Sequence, residues 1–117
     1  MTPITALPRP LPEQLVELIA ARFKVIGEPM RIRLLDQLRE GPLGVQQLAD
    51  VLGATQQNVS KHLGVLHSEG VVTRRRAGAR VLYAISDDSV FEICETVCGG
   101  LRRQAAELDE LLAGASR

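Results

Sequence analysis

Aromatic residues are nearly absent from this chain of 117 residues: Phe23, Phe91 and Tyr83 are all it has, and there is no tryptophan. Proteins that hold single-stranded nucleic acid stack bases on aromatic side chains, so a surface of that kind is disfavoured. Cysteine is as scarce, since Cys94 and Cys98 are too few to staple a small secreted scaffold. No apolar run approaches the roughly 18–20 residues of a membrane span. Met1–Pro12 lacks the basic stretch and apolar block of a secretory signal. The expectation is a cytoplasmic protein with no membrane partner. An excess of one charge is missing too, because 14 Lys+Arg face 14 Asp+Glu for a formal net charge of zero. That removes the simplest argument for a duplex-binding protein, but the sum does not say where the charges sit. Also lacking are a nucleophile–base pair, a phosphate-cradling glycine loop and a catalytic metal signature, so no enzyme is expected.

What is present describes one globular domain. Apolar residues make up 45% and charged residues 24%, a balance that supports a modest core and argues against disorder. Residues 1–12 hold four of the six prolines and read as a flexible arm. The domain is expected over 13–113, with a short tail at 114–117. After Pro12, Leu15, Leu18, Ile19, Phe23 and Ile26 recur at helical spacing until Gly27. A second helix begins near Pro29 and ends before Gly41-Pro42. Val45, Leu48, Ala49 and Leu52 define a short third helix. Gly53-Ala54 makes a turn, Thr55 is a good N-cap, and Val59, Leu63 and Leu66 mark a fourth helix closing at Gly70. Two short helices joined by a tight glycine-containing turn fit a helix-turn-helix unit.

The pattern then changes from helix to strand. Val71 to Arg76 is β-favouring, Val81, Tyr83 and Ile85 alternate, and Ala77-Gly78-Ala79 joins the two runs as a hairpin. Ser86 or Asp87 caps a long last helix with a stripe of Val90, Cys94, Val97, Leu101, Gln104, Leu108 and Leu111. The order α-α-α-α-β-β-α, mainly α with one small hairpin directly after the helix-turn-helix, is that of a winged helix.

On the fourth helix the side opposite the apolar stripe carries Gln57, Ser60, Lys61, Gly64 and Ser68, with Asn58 and His62 on its flank and Gln56 at its start. Gln and Asn can bond adenine edges and Lys can reach guanine acceptors, although a solvated polar face looks similar. Gly64 is unusual there, since a mid-helix glycine costs about 1 kcal/mol against alanine. Close approach of the backbone to a phosphate is one reason for it. Arg74, Arg75, Arg76 and Arg80 crowd the hairpin and suit phosphates or a narrow minor groove. Strand alternation prevents all four from pointing one way. Residues 55–86 thus carry five basic side chains against Glu69 alone, a net of +4. Residues 87–117 carry three basic and seven acidic side chains, a net of −4. Double-stranded DNA is the expected partner, contacted by Gln56, Gln57, Asn58, Ser60, Lys61, His62, Gly64, Arg74, Arg76 and Arg80. A winged-helix protein-interaction module is the alternative.

Across about residues 15–112 the sequence resembles the arsenic-repressor/SmtB (ArsR-type) family of bacterial winged-helix repressors. The resemblance rests on Phe23 to Leu35, Leu48-Ala49, Asn58 to Leu63, Leu66, Glu69 to Val72, and Gly78 to Ile85. It implies a homodimer formed through the first and last helices, a repressor bound to an inverted-repeat operator and released by an inducer. The family's familiar metal sites are missing. Leu43-Gly44-Val45-Gln46-Gln47-Leu48 lacks the two cysteines of the metal box that opens the third helix, and of the zinc-type set on the last helix only Asp87 survives. Cys94 and Cys98, one helical turn apart, are left. Either they sense a soft metal, metalloid or thiol-reactive species, or they pack in the core, which leaves a family repressor without a sensor. No other cofactor is expected.

Overall fold

Helix α1 (Glu13–Ile26) starts directly after Pro12, which takes the N-cap position with extended backbone. The Gly27 N–H closes the helix by donating to the Phe23 carbonyl at 2.7 Å. These positions come from a computed structural model that describes residues 7–115. Residues 1–6 of the expected arm and 116–117 of the expected tail lie outside the described residues. The chain divides into two compact units, Met1–Ser86 and Asp87–Arg117.

In the first unit, Glu28 caps α2 (Pro29–Leu38), its carboxylate accepting from the Arg31 N–H at 3.1 Å. Pro29 fills the first turn, where a missing N–H costs nothing. Helix α3 (Val45–Leu52) ends on Gly53, whose φ of 62° is the left-handed conformation that a tight turn needs and that glycine adopts without strain. Thr55 then caps α4 (Gln56–Ser68), its Oγ1 accepting from the Asn58 N–H at 3.1 Å. At the far end of α4, Gly70 has φ 75°. The Gly70 N–H donates to the His67 carbonyl at 3.0 Å and the Val71 N–H to the Leu66 carbonyl at 2.9 Å. Those two bonds form a Schellman closure, which satisfies the last carbonyls and turns the chain towards the hairpin. Leu34 on α2, Leu48 on α3 and Val59, Leu63 and Leu66 on α4 have no exposed surface. Truncating one such leucine costs about 2–5 kcal/mol. The core therefore sits where these three helices meet, and it holds α4 in place.

The sheet has one strand more than expected. β1 (Leu43–Gly44), β2 (Val72–Ala77) and β3 (Arg80–Ile85) form an antiparallel sheet in the order β1-β3-β2. The observed element order is thus α-α-β-α-α-β-β-α. Two residues are too few to show alternation, and β1 exists because it pairs with β3, Leu43 opposite Tyr83 and Gly44 opposite Leu82. In the hairpin Val72 faces Ile85, Arg74 faces Tyr83 and Arg76 faces Val81. Burial fades along this face towards the tip, from Val72 at 1% and Tyr83 at 7% to Val81 at 38%.

The second unit holds α5 (Ser89–Ala115). Asp87, one of the two expected caps, starts it, Oδ1 accepting from the Ser89 N–H at 3.1 Å and from the Ser89 hydroxyl at 2.5 Å. The helix takes in Gly114 and Ala115, so it reaches two residues into the expected tail. Val97, Leu101, Leu108 and Leu111 of its stripe are all more than half exposed. No helix among the described residues is long and apolar enough to cross a membrane.

Candidate nucleic-acid interface

Helix α4 presents one polar face. Gln56, Gln57, Ser60, Lys61, Gly64 and Ser68 are exposed and Asn58 is half-buried, while Val59, Leu63 and Leu66 face inward. Spacings of three and four residues from Gln57 to Ser68 keep these groups on one side of the helix. A Cβ built on Gly64 would meet nothing within 4 Å, so no packing among the described residues demands glycine there.

His62 departs from the expected arrangement. Its ring lies inside, only 8% exposed, and not on the open flank. Nδ1 accepts from Arg31 Nε at 3.2 Å, while Arg31 Nη1 donates to the Val25 carbonyl at 2.9 Å. The Glu28 carboxylate lies 3.7 Å from the same Nδ1. The cluster ties α4 to the end of α1 and the start of α2. It was missed from the sequence. The available signal was Glu28-Pro29 with Arg31 three residues after the cap.

A second polar set joins the starts of α3 and α4 to the hairpin. Gln47 Oε1 accepts from the Gly44 N–H at 3.0 Å, capping α3, and also from the Arg80 guanidinium. Gln46 Nε2 donates to Asp50 Oδ1 at 2.9 Å, and Gln46 Oε1 accepts from Gln56 Nε2. Gln46, Gln47 and Asp50 were not among the expected site residues. Beside them Gly44, Val45, Gln46, Arg80 and Val81 line an open pocket of about 210 Å³.

All four hairpin arginines are exposed. The register puts Arg74 and Arg76 on the face that carries Tyr83 and Val81. Arg75 and Arg80, which pair with Leu82 and Ala77, lie on the other face. The arginines therefore divide two and two, and Arg80 is the one joined to α3.

On α5, Cys94 is half-buried and Cys98 exposed, and both are free thiols. Among the described residues no group of three or more His, Cys, Asp or Glu is gathered to hold a metal ion. Two sulfurs one turn apart suit a soft ion but supply only part of a three- or four-donor set.

A helix-turn-helix with an arginine-bearing hairpin behind it defines a winged-helix regulatory protein. The sequence profile of the arsR family of bacterial regulatory proteins matches residues 28–74. The HTH-type transcriptional regulator NmtR of Mycobacterium tuberculosis is 36% identical over 86 residues, 74% of this chain and 72% of that protein. The chain belongs to the arsR family: it is a DNA-binding transcriptional regulator and not an enzyme. Two crystal structures are also similar. That of M. tuberculosis Rv0081 has a TM-score of 0.73 at 34% identity, covering 82% of this chain and 97% of that one. That of the AntR antimony-specific transcriptional repressor has a TM-score of 0.73 at 26% identity, covering 91% and 96%.

Proposed function

We propose that this chain is a homodimeric repressor that binds an inverted-repeat duplex through α4 and the hairpin. The observation that carries the reading is the exposed face of Gln56, Gln57, Asn58, Ser60, Lys61 and Gly64, within one unit with Arg74, Arg76 and Arg80. In this reading the amides take base edges and Lys61 and the arginines take phosphates, while Gly64 lets the backbone come close. His62 holds the helix and makes no contact of its own. Val16, Leu18 and Phe23 on α1, with Val97, Leu101 and Leu108 on α5, are exposed apolar groups that a second copy would cover. Titration against a duplex recovered by selection tests the reading. Affinity is expected to fall by about a thousandfold or more between about 50 and 200 mM salt. Lys61→Ala with Arg76→Ala removes two phosphate contacts in each half-site and should flatten the slope of log K against log salt by about four. Salt-independent binding, or no preference over random duplex, would overturn it.

The second part of the proposal concerns release. Cys94 and Cys98 form half of a soft-metal or metalloid site that a second copy completes, and its occupation frees the DNA. The exposed Cys98 one turn from Cys94 supports this, as does the likeness to a repressor named for antimony. Antimonite, arsenite or cadmium added to the protein–duplex complex should release the wild type and leave Cys94→Ser and Cys98→Ser bound, with unchanged affinity before addition. Equal release from both variants would return the cysteines to packing alone.

A further inference from the structure

We infer that Gln46 and Asp50 are positioning residues for Gln56, and that together they commit this protein to an adenine at one position of each half-site. The inference rests on the duplex-binding reading above. Its physical basis is the direction of a hydrogen-bond chain.

A side-chain amide can turn over, exchanging donor for acceptor, and an exposed glutamine has little reason to prefer one orientation. Asp50 removes that freedom. Its carboxylate only accepts, and it lies one turn after Gln46 on α3, 2.9 Å from Gln46 Nε2. Gln46 must therefore direct its nitrogen at Asp50 and its Oε1 at the start of α4. There it accepts from Gln56 Nε2. A reversed Gln46 would set its oxygen against a carboxylate oxygen. A reversed Gln56 would set oxygen against oxygen. The order Gln56 to Gln46 to Asp50 is thus the one that satisfies all three groups.

The consequence appears at Gln56, the first residue of α4 and exposed. One of its two N–H groups is taken by Gln46. The second N–H and the carbonyl oxygen have no other partner among the described residues. One donor beside one acceptor is the pair that adenine N7 and N6 require in the major groove. With Gln56 reversed, two N–H groups would face outward and a guanine edge with two acceptors would compete. Asp50 therefore acts through two amides on base choice without touching the duplex. All three side chains are exposed, so the chain adds little to folding, and its effect belongs to specificity.

The test is a set of duplexes in which each base pair of the selected site is replaced in turn. Binding is measured for the wild type, Gln56→Ala, Gln46→Ala and Asp50→Asn, with melting temperatures alongside. Gln56→Ala should abolish the preference for A·T at one pair in each half-site. Gln46→Ala and Asp50→Asn should each cut that preference by about tenfold, at those two pairs only, with the melting temperature unchanged. Random-duplex affinity should stay within about twofold for Gln46→Ala and rise at low salt for Asp50→Asn, which removes a negative charge. Gln46→Glu combined with Asp50→Asn supplies the rescue. The new carboxylate at position 46 accepts both from Gln56 and from the new amide at position 50, so the preference lost in Asp50→Asn should return. Wild-type profiles for Gln46→Ala and Asp50→Asn beside an altered Gln56→Ala would overturn the positioning role alone. A double variant no more selective than Asp50→Asn, or losses spread over every pair, would overturn it as well. A wild type without any sequence preference would overturn the duplex-binding reading and this inference together.

Discussion

Gly64 separates stability from binding at a single residue. A glycine inside a helix costs about 1 kcal/mol relative to alanine, and the space where its Cβ would stand is open. Gly64→Ala should therefore raise the unfolding free energy by up to about 1 kcal/mol, read as a higher urea midpoint at constant slope. The same change should weaken duplex binding by about tenfold, if close backbone approach is what the glycine serves. A stabilised variant with unaltered affinity would remove that explanation. His62 teaches the opposite lesson. Helical periodicity placed it at the edge of the polar face, where either side is open to it. Its ring is inside because Arg31 and Glu28, far off in sequence, supply the donor and the charged neighbour. A helical wheel contains only its own helix, so this placement was not legible from it.

Elements were legible where a local signal terminates them. Gly27, Gly53, Thr55 and Gly70 punctuate the helices, and the observed ends fall within two residues of those marks. The hairpin followed from β-branched residues on either side of Gly78. β1 was not legible, because two residues have no period and its only reason for being a strand is Tyr83 and Leu82 forty residues on. The same limit applies to the candidate site. The exposed residues of α4 follow from the positions of Val59, Leu63 and Leu66. The Gln46–Gln56 and Gln47–Arg80 bonds join separate elements, and no spacing announces them. The division of the arginines lies between these cases. Alternation showed that they must separate, and the register showed that Arg80 goes with Arg75.

For the whole molecule, the zero net charge conceals segments of opposite sign. Residues 55–86 are net basic, whereas α5 carries Glu92, Glu95, Glu107, Asp109 and Glu110. Glu107 and Glu110 are exposed, so a polyanion meets their repulsion wherever it binds within a Debye length of about 8–10 Å. Replacing both by glutamine should raise affinity for random duplex at low salt and change it little at high salt. Equal affinity at low salt would show that the acidic helix plays no part in suppressing loose binding.

Gln47 also bears on the entropy of any encounter. Its one oxygen starts α3 and at the same time holds the Arg80 guanidinium. A free arginine side chain loses up to about 2 kcal/mol of rotamer freedom when a partner fixes it. For Arg80 much of that ordering has already happened on folding, whereas Arg74 and Arg76 extend from the other face of the hairpin without such a tether among the described bonds. An anion arriving at Arg80 meets a group whose direction is set beforehand. Arg80 is therefore suited to fixing the register in which a partner docks, and the looser arginines to capturing it from a wider range of approaches.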